Sequence, residues 1–148
     1  MSRIIHTNNV GTERNRLLKA IVIAIRELMK QTSVDSTTKD LAAFISSALL
    51  AVHETIERSV TPWEKRDYWV KADKFRLEWA WTKDIGEEML EATLEEQWAQ
   101  VALLSATVGQ KLQNIMVSDR HRMGKPWVGA WELMISEQID KDHKTAID

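Results

Sequence analysis

Catalysis needs a nucleophile, an acid–base pair or a metal-ligand set held close together, and this chain offers few candidates. It has no cysteine in 148 residues, which removes thiolate chemistry, disulfides and cysteine zinc sites and is compatible with a reducing, cytoplasmic setting. His53 and Glu54 begin the zinc-protease helix pattern HExxH, but Glu57 stands where the second histidine ligand belongs. Five glutamates, Glu87, Glu88, Glu91, Glu95 and Glu96, crowd one stretch. A di-iron bundle would need Glu-x-x-His on each of two helices, and the chain has no such pair, so the glutamates read as an acidic surface. There is no glycine-rich phosphate loop and no nucleophile elbow. The expectation is a non-catalytic protein without metal or cofactor.

The cations are better organised. Arg16, Lys19, Arg26 and Lys30 share one helical face with Ile23, spaced 3-4-3-4. Lys65, Arg76 and Lys83 follow a second helical line with Trp69. A third group, Arg120, Arg122 and Lys125, surrounds Gly124 in a polar segment. Basic side chains beside aromatic rings suit a nucleic-acid surface, because the cations meet phosphate while a ring offers a stacking plane. The plainer reading of each group is a solvated face, or core tryptophans with long cations snorkelling from the rim. Charge is unevenly spread: residues 1–31 hold six basic and two acidic side chains, +4, and residues 84–116 hold one and six, −5. The fold can therefore carry a basic side and an acidic side.

These residues must be positioned by helices. Five glycines, two prolines and almost no strand-like alternation point to an all-α chain. Hydrophobic periodicity predicts helices over 12–31, 36–60, 61–83 and 84–116, and a shorter one from Pro126 to about 140. Together they would make a single-domain antiparallel bundle of four long helices and a shorter fifth. Thr61, Pro62 and Glu64 read as the start of the third helix, and Asp84, Gly86 and Glu87 as the start of the fourth. Residues 1–11 read as a flexible arm, 12–140 as the domain, and 141–148 as a fraying tail. The second helix is the most apolar and rich in small residues, which places it at the bundle centre. No signal peptide and no run of 18 apolar residues is visible.

The segment over 61–83 holds four of the seven tryptophans and shows two apolar faces. One is Trp63, Val70, Leu77 and Trp81; the other is Tyr68, Trp69, Ala72, Phe75 and Trp79. Such a helix is either central or uses one face on a partner. With its tryptophan-rich WEKRDYWVKADKFRLEWAW and its basic helical stripes, this cysteine-free chain resembles the small all-helical subunits of CRISPR effector complexes, particularly those of type III. That resemblance implies several copies lining a guide RNA–target RNA duplex in an antiviral ribonucleoprotein, with backbone contacts from Lys and Arg and no catalysis. It carries no individual residue over. The alternative is a helical protein–protein module or homo-oligomeric adaptor anchored by Trp69, Trp79, Trp127 or Trp131, since tryptophan favours such hot spots. The expected partners are RNA, other subunits and copies of the same chain, with no membrane.

Overall fold

The computed structural model describes residues 9–147. Its helices are α1 (Asn9–Leu28), α2 (Ser36–Lys65), α3 (Trp69–Leu94), α4 (Trp98–Lys111) and α5 (Ala130–Ile147), with no strand among the described residues. The all-α bundle therefore stands. Of the expected arm, residues 1–8 lie outside the described residues, whereas Asn9, Val10 and Gly11 already belong to α1. Of the tail expected over 141–148, residues 141–147 continue α5 and residue 148 lies outside the described residues.

At the centre is α2, which packs against α1, α3 and α5. Asp35 caps its start, accepting from the Thr38 N–H at 3.0 Å and the Thr38 hydroxyl at 3.3 Å. Leu41, Ile45, Leu49, Val52, Ile56 and Val60 are wholly buried along it, and between them Ala42, Ala43, Ser46 and Ala48 let neighbouring helices approach. Ile21 of α1, Met89 of α3, and Val101 and Val108 of α4 belong to the same buried core. Arg14 ties α1 to α2 at one end. Its guanidinium donates to the Thr55 hydroxyl at 3.1 Å, the Thr55 carbonyl at 3.2 Å and the Ser59 hydroxyl, and it lies 5.0 Å from the centre of the Phe75 ring of α3.

The breaks between helices fall elsewhere than the sequence suggests. Thr61 and Pro62 do not start a helix; they lie in the last turns of α2. The Thr61 hydroxyl donates back to the Glu57 carbonyl at 2.9 Å. Beyond the proline, Trp63 meets Phe75 edge-on at 5.2 Å and Glu64 is gripped by Arg76. These tertiary contacts carry the helix through the backbone bond that Pro62 cannot make. The real break is at Asp67, with φ +64°. The Tyr68 N–H reaches the Trp63 carbonyl at 2.9 Å and the Asp67 N–H reaches the Glu64 carbonyl at 3.0 Å. That pair of bonds is a Schellman turn. Glu96, at φ +54°, ends α3 in the same way, with Gln97 N–H to the Ala92 carbonyl at 2.8 Å and Glu96 N–H to the Thr93 carbonyl at 3.1 Å.

Gly86 marks no junction. It is buried within α3, where an added Cβ would lie 3.0–3.1 Å from the Leu50 side chain and 3.2 Å from the Leu49 Cβ. There α3 lies close enough to α2 to crowd any side chain. Two substitutions should therefore act oppositely in thermal unfolding. Asp67→Gly relieves a left-handed conformation and should stabilise by about 1 kcal/mol. Gly86→Val forces the helices apart and should destabilise by about 1–3 kcal/mol.

Candidate nucleic-acid interface

The structure sorts the expected cations into those spent inside the molecule and those left free. Arg26 is spent. It donates to the Val117 carbonyl at 3.1 Å and pairs with Asp119 at 3.4 Å, fixing the start of the segment between α4 and α5. Lys30 pairs with Glu27 at 3.2 Å. Arg76 is the most heavily engaged: it meets Glu64 through two parallel bonds of 2.6 and 3.0 Å and Glu57 at 3.1 Å. Glu57, the residue that spoils the HExxH pattern, is thus a structural partner of Arg76. In contrast, Arg16, Lys19, Lys65, Lys83, Arg120, Arg122 and Lys125 are exposed and have no ion pair among the described residues.

Three of the free cations come together. Arg16 and Lys19, one turn apart on α1, line an open groove of about 740 Å³ with Arg122 from the 118–125 segment. Its lining includes the apolar Leu17, Ala20, Phe44, Met123 and Pro126. Glu13 sits at the same groove, but its carboxylate pairs with Arg58, which in turn pairs with Glu54 at 2.8 Å.

The segment that brings Arg122 there is held at both ends and within. Arg26 grips Val117, as above. The Ser118 hydroxyl accepts from the Arg120 N–H at 3.1 Å, and His121 Nδ1 accepts from the Met123 N–H at 3.2 Å. Gly124 turns the chain at φ +66°. Trp127 then enters the core at 5% exposure. Asp40 of α2 accepts from the Gly129 N–H at 3.1 Å and the Trp131 N–H at 3.0 Å. Gly129 has no side chain to cap α5, and Asp40 supplies the carboxylate from across the bundle, where the helix dipole favours it. The sequence signals for this cap were missing, because donor and acceptor lie some ninety residues apart.

The tryptophans divide as well. Trp127, expected at an interface, belongs to the core of its own chain. Trp79 stacks on Trp81 at 6.3 Å against the core. Trp131 packs near Trp98 at 6.4 Å and receives Lys39 over its ring at 5.2 Å. Only Trp69 is more than half exposed. Of the two apolar faces of the 61–83 segment, Ala72, Phe75 and Trp79 turn toward the bundle, while Val70 and Leu77 stay 73% and 78% exposed.

No family model, no curated protein and no solved structure matches the chain. No helix among the described residues is long and apolar enough to cross a membrane.

The Arg76 cluster has a signature of its own. Hydrogen bonds from Arg76 hold the Glu64 carboxyl below its ordinary value of 4.5. A carboxyl whose folded pKa is depressed stabilises the fold above its unfolded pKa, and that contribution disappears as pH falls through the folded one. Thermal stability should thus decline as pH drops below about 4.5. Glu64→Gln should lower stability at neutral pH and flatten that part of the acid profile.

Proposed function

We propose that the chain is a non-catalytic binding subunit that holds an RNA backbone in the groove between α1 and the 118–125 segment, within a larger nucleoprotein assembly. One observation carries this reading: Arg16, Lys19 and Arg122, from opposite ends of the sequence, converge unpaired around one groove. Converging cations with no internal partner favour a polyanion, and the apolar lining with Phe44 gives unstacked bases a surface to lie on. Such contacts hold a backbone in register without reading its sequence. Arg120 and Lys125 lie exposed on the same segment, outside the groove's lining. Lys65 and Lys83 lie on other elements and play no part in the groove. In a context like that of the small CRISPR effector subunits, the chain would act beside other subunits and contribute no chemistry.

A second reading, a protein–protein module, is favoured by the exposed Tyr68, Trp69, Val70 and Leu77. It uses another surface, so both roles fit in one molecule.

Fluorescence anisotropy with a labelled single-stranded RNA and its duplex, across a salt series, tests the groove. If three phosphates are neutralised, the logarithm of the single-strand binding constant should fall with that of salt with a slope of about −2. Arg16→Glu with Arg122→Glu should abolish binding, and Lys83→Glu should leave it within about twofold. Arg26→Gln, which frees the segment without touching the groove, should weaken binding partway. A folded protein with no salt-sensitive binding, or undiminished binding by the double variant, would overturn the proposal.

A further inference from the structure

A surface that only grips phosphate needs cations and nothing else, and the groove between α1 and the 118–125 segment has more than that. Its cations stand outermost: Arg16, Lys19 and Arg122 are all exposed. Deeper in the lining, Ala20 is buried and Leu17, Phe44 and Met123 are half-buried. Those last three pack against the core, so the apolar floor they form is held in place by the fold. Charged rim and apolar floor are parts of one cavity, and a ligand that fits must answer both.

The charge of the lining asks for an anion. Glu13 is its only carboxylate, and Arg58 of α2 engages it from outside the groove. Arg16 and Lys19, three residues apart, bring their side chains within about 5–6 Å of each other at the Cβ atoms. They can share one phosphate or grip two in succession. The floor then decides between forms of nucleic acid. A duplex turns phosphates and sugars outward and keeps its bases stacked and paired inside, so proteins recognise it by shape over a long stretch. Laid on this groove, a duplex would meet the cations and leave Phe44 with nothing to cover it. An unpaired strand offers phosphate and a free base face together, and rings such as that of phenylalanine are the surfaces on which such bases stack. The volume, about 740 Å³, falls among those of small-molecule sites and suits about one or two nucleotides.

We infer, on the premise that RNA occupies the groove, that the chain selects an unpaired strand. Phosphate lies among Arg16, Lys19 and Arg122, and an adjoining base lies on the ring of Phe44. The rim supplies the salt-dependent part of the affinity and the floor supplies the preference for single strands over duplex.

Competition against a labelled single-stranded RNA, read by anisotropy on the full chain, tests this. The unlabelled competitors are the same RNA, its duplex, and an abasic strand of equal length and equal phosphate count. The unpaired RNA should compete at least about fivefold better than either of the others, which is the lower end for one stacked base. Phe44→Leu keeps an apolar side chain against the core and removes the ring. It should bring the unpaired and abasic strands within about twofold of each other and leave the salt slope unchanged. The comparison of strands on the wild-type chain stands whether or not that variant folds, which circular dichroism checks. Adenosine 5′-monophosphate carries the same phosphate and base. It should compete where inorganic phosphate at equal concentration does not, yet more weakly than the strand; competition as strong as the strand's would make the ligand a free nucleotide and refute the inference. An abasic strand or duplex that competes as well as unpaired RNA, or a preference that survives in folded Phe44→Leu, also refutes it, while binding still lost in Arg16→Glu/Arg122→Glu would leave the backbone-holding groove in force. A wild-type chain that binds none of these strands removes both.

Discussion

The close approach of α3 to α2 at Gly86 is the constraint from which the rest of the bundle takes its geometry. With a bare glycine against Leu49 and Leu50, the two longest helices run side by side, and α2 becomes buried on most of its circumference. Helices of this length gain most of their stability from such packing rather than from propensity. α1 and α5 then fill the remaining sides of α2, and α4 closes over α3 and α1. The groove exists because α1 and the segment before α5 both lie against this axis.

Much of this was legible in the sequence. The all-helical class, the number of helices and the central place of α2 follow from apolar periodicity. The helix ends were harder. Glycine and proline ordinarily mark ends, yet Gly86 and Pro62 lie inside helices, while the chain turns at Asp67 and Glu96 in the left-handed region. Schellman bonds and the packing on either side of each turn outweigh a residue preference worth about 1 kcal/mol. Nothing local announces that balance.

The candidate site was legible only as a list of cations. Arg26 and Arg76 looked like members of free stripes, and their partners lie 91 and 12 to 19 residues away. Arg14, which nothing in its neighbourhood singled out, proved to be an internal clamp. Burial and the nearby charge of Arg58 lower its pKa from the ordinary arginine value. Arginine suits such positions better than lysine, because its planar fork satisfies several acceptors at once. Here Arg14, Arg26, Arg58 and Arg76 all bridge separate elements, while Lys19, Lys65, Lys83 and Lys125 stay in solvent. The residues that define the groove are thus those the fold left over, and that remainder becomes visible only once the helices are packed.

The way α5 is attached has a consequence for how the molecule opens. Asp40 caps its first turn, and Trp127 and Met134 are buried near its start. From Ile139 to Ala146 no side chain is buried. Protection against amide exchange tracks buried contact and falls where it ends. Stability along α5 is therefore graded, with a docked first half and a second half that unwinds alone at little cost. The deepest amides lie in α2, and α5 unzips from its far end back to the tryptophan that pins it.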